Sequence, residues 1–374
     1  VLAPQGAVPP ASGETFLCFE PMKFIESVFE KLRAHPKRVV FPEGTEPRVL
    51  AAAAEFVYLQ LGVAILLGKW EEVEAAAAKA KVSLKKINVI DPELAEDLPL
   101  FTKRLEGLSR YKGIADIDAR KIVTNPNYFG ALMLQNGQAD SLVGGATSNS
   151  GSILRPLFQL IKPLPGVKSI SSCVVLQVPN SPYGEKGVFT FADCGVIPNP
   201  NVDQLATIAT ESARLFRQLT GAMPRVAMLS YSTKGSAQTQ DTEKIVAATA
   251  LAKQAFFEKN QTGEVDGELQ VDTALIKEIA EIKAPGSPVA GQANVLVFPD
   301  LNSGNIAVKL VHRLTGGEAY GQILLGLDKP AADLSRGASV HEIVGVAAIV
   351  SLQAIEYRRL YPEQGAGRYE LATA

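Results

Sequence analysis

The sequence predicts an α/β protein built as two α/β/α domains with mostly parallel sheets. Three observations carry this. Short β-branched apolar runs alternate with longer stretches of helical period, the alternation of a parallel α/β sheet. Most runs end in loops rich in Gly, Ser, Thr and Asn. One segment, 169–193, breaks the alternation with a hairpin signal and marks the start of a second domain.

Arg38-Val39-Val40-Phe41, 63–67, 87–90, 141–144, 226–229 and 294–298 are short apolar runs of the kind buried on both faces. Between them, amphipathic periodicity predicts helices over about 47–60, 70–80, 202–219, 241–258 and 302–313. Within 169–193, two extended runs (170–178 and 187–191) flank Pro179-Asn180-Ser181-Pro182-Tyr183-Gly184, whose Pro and Gly suit a turn. Residues 1–21 have no clear period and are expected to be an extension outside the fold, lacking the charged region and long apolar core of a secretory signal.

Composition narrows the chemistry. The chain has 374 residues, enough for two cores, and a net charge of −2 offers no general field for nucleic acid or membrane. An anionic ligand must therefore meet positive groups concentrated locally. Three cysteines without CxxC spacing form no disulfide framework, which fits a reducing, cytoplasmic compartment. Three histidines, with no HExxH, Walker A sequence, GxSxG elbow or strand-linked GxGxxG, leave little material for a zinc site or a Ser-His-Asp triad. No metal site is expected, and the chemistry must rest on Ser, Arg, Lys, Asn and carboxylates.

Four loops have the composition of anion cradles. Ser230-Tyr231-Ser232-Thr233-Lys234-Gly235-Ser236 follows a predicted strand, where open α/β sheets bind ligands. Gly144-Gly145-Ala146-Thr147-Ser148-Asn149-Ser150-Gly151 follows another and opens a helix carrying Arg155. Lys283 lies in a rigid Pro/Gly loop, and Asn302 lies where 299–305 caps the next helix. Asp333-Leu334-Ser335-Arg336-Gly337 then leads into a helix for which Ser339 and Glu342 have capping-box spacing. Glu342 thus has two readings, a box partner or a carboxylate beside a cleft. Arg336 likewise is a surface charge or a ligand-binding one.

The segments SYSTKGSA, DGELQVD, KAPGSPVAG, VFPDLNSGNIAVKL, EAYGQILLGLDKP and DLSRG, with VVFPEGTEPRVL and ILRP upstream, resemble the phosphate acetyltransferases over about 22–357. The related phosphate butyryltransferases and the isocitrate/isopropylmalate dehydrogenase-like group share that fold. The resemblance implies 22–167 plus 325–374 as domain I and 168–324 as domain II, with the active cleft between them, a homodimer, and the reaction acetyl-CoA plus phosphate to acetyl phosphate plus CoA. It implies no permanently bound cofactor, CoA being a substrate. It places Ser335 and Arg336 on the family's active-site pair and Arg155 on its LRP arginine. Glu342 falls where the family usually has Asp, so the carboxylate reaches one methylene further. Ser109 stands where the family has its second arginine, and Arg110, one residue on, is the substitute. Ser148 stands where the family often has His.

On this reading Arg336 and Arg155 hold phosphate, Ser335 donates a hydrogen bond and Glu342 takes the CoA thiol proton. A thiol of pKa about 8.5 and a carboxylic acid of about 4.3 lie some 4 units apart, so that transfer needs a raised carboxyl pKa or concerted attack. Two alternatives stay open: transfer of propionyl or butyryl groups, and a relative that binds acyl phosphate or CoA without turnover. A metal-dependent dehydrogenase would need clustered Asp ligands, whereas Asp300 and Asp333 are isolated within their motifs.

Overall fold

The computed structural model describes residues 24–108 and 118–361, so both Arg110 and the extension expected over 1–21 lie outside the described residues. Strands β1 (Lys37–Phe41), β2 (Gly62–Leu67), β3 (Asn88–Ile90) and β4 (Ser141–Gly144) alternate with helices. These are α1 (Phe24–Arg33), α2 (Pro47–Tyr58), α3 (Trp70–Ala80), α4 (Leu98–Glu106), α5 (Ala119–Val123), α6 (Pro126–Gln135) and α7 (Ser150–Leu160). The hairpin β5 (Ser171–Gln177) and β6 (Val188–Ala192) follows, antiparallel as its turn chemistry predicts. Then come α8 (Val202–Thr220), β7 (Arg225–Leu229), α9 (Gln240–Glu258), β8 (Glu264–Leu269), α10 (Val271–Leu275), α11 (Lys277–Lys283), β9 (Val295–Val297) and α12 (Leu301–Thr315). The chain closes with β10 (Glu318–Leu325), β11 (Ala331–Asp333) and α13 (Val340–Leu360).

All eleven strands join one sheet of order β3-β2-β1-β4-β11-β10-β5-β6-β9-β7-β8. Strands from 22–167 and 325–374 occupy one end and strands from 168–324 the other. Pairing is parallel except at three neighbouring junctions, β11–β10, β10–β5 and β5–β6. Two parallel blocks therefore run in opposite directions, and the antiparallel strands form the seam between them.

Three strands carry no signal in the apolar pattern, each for a physical reason. Strand β8 reads Glu-Val-Asp-Gly-Glu-Leu, and the buried carboxylates of Asp266 and Glu268 interrupt any apolar run. Strand β10 is broken by Gly321 at a register shift. Strand β11 has only three residues. Helix ends follow local chemistry more closely. Pro47 starts α2, Asn201 and Gln204 form a capping box on α8, and Gly316 ends α12 in the left-handed region.

Helix α13 is the central packing element. It is long and apolar enough to cross a membrane, but here it is a core helix whose side chains are mostly buried. It packs on α1, α2, β4 and β10. Its C-terminal end is tied down by Arg358, which pairs with the buried Asp140 that also holds Arg38. Contact with β10 requires Gly345, because a Cβ there would collide with the ring of fully buried Tyr320. Gly345→Ala is expected to destabilise the fold by about 1–3 kcal/mol through overpacking, read as a lower urea midpoint with unchanged slope.

Candidate active site

The seam strands form the floor of a cleft of about 840 Å³, lined there by Val174 of β5 and Ala319, Gly321 and Gln322 of β10. That volume suits a small-molecule ligand. Helix α12 makes one wall, presenting Asn302, Asn305, Lys309, His312 and Arg313 at helical spacing. The opposite wall comes from Ser148, Asn149 and Ser150 after β4, and from Asp333 through Ala338 after β11. Glu342 of α13 closes the cleft near His312. The N-terminal turns of α7, α12 and α13 all contribute lining residues, and helix N-termini favour anions.

The two loops of that wall are fixed by side chains from the β1–α2 connection. The Glu43 carboxylate accepts the backbone N–H of Gly145 (2.9 Å), Ala146 (2.6 Å), Thr147 (2.9 Å) and Ser148 (2.9 Å), and the Thr147 hydroxyl (2.7 Å). Burial alone would raise its pKa, but the hydrogen bonds from Thr147, Ser148 and Ala146 outweigh that and hold it below the usual carboxylate value. Arg48, paired with Glu46 at 2.6 Å, donates to the carbonyls of Arg336 (2.7 Å), Ala338 (3.0 Å) and Ala146 (2.9 Å). One arginine thus ties the 334–338 loop to the 145–148 loop.

Ser335 and Arg336 stand exposed at the edge of this clamp. Among the described residues no carboxylate pairs with Arg336, Lys309 or Arg313, so three free guanidinium or ammonium groups face one cleft in a chain of net charge −2. Glu342 is held on both oxygens. Oε2 accepts the Ser339 N–H at 2.8 Å, and Oε1 accepts the Ala319 N–H at 3.1 Å and lies 3.3 Å from His312 Nε2. The capping box read from the sequence is formed, and the carboxylate also borders the cleft.

Of the residues singled out in the sequence, Ser148, Asn302, Ser335, Arg336 and Glu342 line this cleft together. Arg155 lies on the exposed face of α7, about 7 Å along the helix from Ser150 by its rise per residue, and is not among the lining residues. The loop carrying Ser230, Ser232, Thr233 and Lys234 does not join it, and neither does Lys283. Their donors are already taken by carboxylates and an amide of β8 and its flank. Ser232 Oγ donates to Glu268 (2.9 Å), Thr233 Oγ1 lies 3.3 Å from Gln270 Oε1, Lys234 reaches Asp266 (2.7 Å) and Lys283 reaches Asp272 (2.9 Å). Ser230 Oγ caps the turn by accepting the Ser232 N–H. Burial would raise the Asp266 carboxyl, but Lys234, Ser287 and Lys253 outweigh it and hold it at about 2. Lys234 and Lys283 border a separate cavity of about 460 Å³ that shares no residue with the main cleft. Local composition resembled a phosphate cradle, but the acids that neutralise it come from another strand.

The sequence reading missed Lys309, His312, Arg313 and the clamp residues Glu43 and Arg48. The polar stripe along α12 was the available signal for the first three. Asp333 was noted only as part of its loop. It is buried, and one of its oxygens has no hydrogen-bond partner among the described residues. Its neighbour Gly145 adopts φ +104°, and a Cβ there would overlap that same oxygen. Burial pushes the Asp333 carboxyl up to about 6, against a hydrogen bond from Ser150 and with the charge of Glu43 adding to the rise.

A folded-state pKa raised above the unfolded value gives stability that is present below about pH 4 and lost as pH climbs through 6. Asp333→Asn, which stays neutral, is therefore expected to be more stable than the wild type by about 2–3 kcal/mol above pH 7. The difference should shrink toward pH 4, as read by urea unfolding across pH.

The family described as Phosphate acetyl/butaryl transferase matches residues 23–351. A phosphate acetyltransferase of Thermoanaerobacterium thermosaccharolyticum is 46% identical over 335 residues, covering 89% of this chain and all of the relative. A phosphotransacetylase from Streptococcus pyogenes superposes with a TM-score of 0.80 at 37% identity, covering 89% of this chain and 98% of that one. The EutD phosphotransacetylase from Staphylococcus aureus gives 0.79 at 36% identity, covering 88% and 98%. Sequence and fold agree over nearly the whole described chain, and the protein belongs to the phosphate acetyl/butaryl transferase family.

Proposed function

We propose that the chain is a phosphate acetyltransferase, catalysing acetyl-CoA plus phosphate to acetyl phosphate plus CoA in both directions through a ternary complex. The observation that carries this reading is the cleft's surplus of unpaired cations. Lys309, Arg313 and Arg336 face a volume bounded by three helix N-termini, beside the hydroxyl of Ser335. Both substrates are anionic, and these groups would hold them together and offset their repulsion.

In the direction of acetyl-CoA, the CoA sulfur attacks the acetyl carbonyl carbon and phosphate leaves. Charge develops on the carbonyl oxygen and on the departing phosphate. Arg336 orients the phosphate and Ser335 donates a hydrogen bond to it. Arg155 and Ser148 contribute at the phosphate end, Arg155 by reaching back along α7. Much of the rate comes from holding the two reactants in contact, since effective molarity alone supplies about 7–11 kcal/mol in well-oriented cases. Two further parts of this reading are a homodimeric assembly and a cytoplasmic setting, the latter suited to the free buried thiols of Cys173 and Cys194.

Purified protein mixed with CoA and either acetyl, propionyl or butyryl phosphate should form thioester fastest from acetyl phosphate. A preference for butyryl phosphate would move the chain to the sister activity, and no thioester from any of the three would refute acyl transfer. Arg336→Gln should lower kcat/KM for acetyl phosphate about 100–1000-fold, the usual cost of removing a charge-stabilising donor, measured as initial rates of thioester formation.

A further inference from the structure

We propose that His312 accepts the thiol proton of CoA, with Glu342 as the positioning carboxylate that orients its ring. The inference rests on the acetyltransferase reading above and assigns the proton step within it. Three observations support it. Glu342 is the more buried partner, with its side chain 9% exposed against 21% for His312, and both border the cleft. Its two oxygens already accept the backbone N–H groups of Ala319 and Ser339, so its position is set by β10 and the α13 cap. His312 Nε2 lies 3.3 Å from Oε1. A hydrogen on Nε2 facing that carboxylate leaves Nδ1 with its lone pair as the proton acceptor.

The energetics favour the same assignment. Moving a proton from a thiol of pKa about 8.5 to an ordinary carboxylate costs some 4 pKa units, whereas an ordinary imidazole of about 6.5 leaves only about 2. The other charged groups facing the cleft are Lys309 and Arg313 on α12, Arg336 after β11 and Asp333 at its end. The three cations favour a thiolate at the sulfur of CoA.

The thiol proton passes to Nδ1 as sulfur bonds to the acetyl carbon. The bond from that carbon to the phosphate oxygen breaks with its electron pair going to oxygen. The leaving phosphate then takes the proton from the imidazolium, which restores neutral His312.

The test is the pH dependence of kcat and KM for acetyl phosphate in the wild type, His312→Gln, His312→Ala and Glu342→Gln. Wild-type kcat should fall on acidification below neutrality as the imidazole charges. His312→Gln should lose about 100-fold or more in kcat and lose that acid limb, with KM nearly unchanged. Added imidazole should restore part of the turnover of His312→Ala, which separates loss of a proton acceptor from loss of structure. Glu342→Gln should lose less kcat than His312→Gln and move the acid limb to lower pH, because removing the carboxylate weakens the imidazole as a base. Wild-type kcat and acid limb in His312→Gln would overturn the proposal while leaving the acetyltransferase reading intact. So would an unrescued His312→Ala, or a loss of turnover confined to Glu342→Gln. Absence of wild-type turnover would overturn both.

Discussion

The Glu43 carboxylate is the constraint on which the site depends. Four consecutive backbone N–H groups and one hydroxyl converge on it from residues 145–148. Those donors sit where β4 hands over to α7, and they point inward rather than along a helix or strand. Without an anion between them they would be left unsatisfied at a partly buried loop, at a cost of about 1–3 kcal/mol for each group truly lost from solvent. Arg48, five residues on, extends the constraint by binding Ala146, Arg336 and Ala338 through their carbonyls. A single segment, Glu43 to Arg48, therefore sets the relative positions of both loops that form one wall of the cleft. Neither residue lines the cleft itself.

With the loops held by neighbouring groups, the cleft's own charges are left unpaired. Lys309, Arg313 and Arg336 have no carboxylate partners among the described residues, and Asp333 keeps one buried oxygen without a donor. Each of these is unfavourable in the free protein. The three cations together describe a surface whose electrostatic balance an anionic ligand would complete, within a chain of net charge −2. Contrast the loop at 230–236. There the Ser232 hydroxyl and the Gly235 N–H donate to Glu268, and Lys234 pairs with Asp266, so the loop is part of an internally satisfied network.

That contrast shows what the sequence could and could not reveal. Strands with continuous apolar runs, such as Ser141–Gly144 and Arg225–Leu229, and helices with marked ends, such as Pro47–Tyr58 and Trp70–Ala80, were legible because their signals are local. So was the β5–β6 hairpin, through its Pro and Gly turn. Strand β8 was hidden because its buried acids are partnered from elsewhere in the chain, Asp266 by Lys234 and Lys253 and Glu268 by Ser232 and Gly235, and β11 because three residues carry no period. Among the residues lining the cleft, Ser335, Arg336, Ser148 and Asn302 had been singled out from loop composition and family resemblance. Composition could not tell the 145–148 loop from the 230–236 loop. Only tertiary structure shows that one spends its backbone donors on Glu43 and opens onto the cleft, while the other spends its side chains on β8. His312 was passed over because a lone histidine on a helix has meaning only once Glu342, thirty residues later in the chain, is brought to 3.3 Å.

The central claim is that the cleft transfers acyl groups because the Glu43–Arg48 segment holds it in register. The most direct measurement is kcat/KM for acetyl phosphate and CoA in Glu43→Gln, with circular dichroism to show that the fold is kept. An amide in place of the carboxylate loses one acceptor oxygen and points N–H groups at N–H groups. The account predicts a drop of about 10–100-fold, the size expected when reacting groups are displaced without being removed, although residue 43 does not line the cleft. Wild-type kcat/KM in a folded Glu43→Gln protein would contradict it.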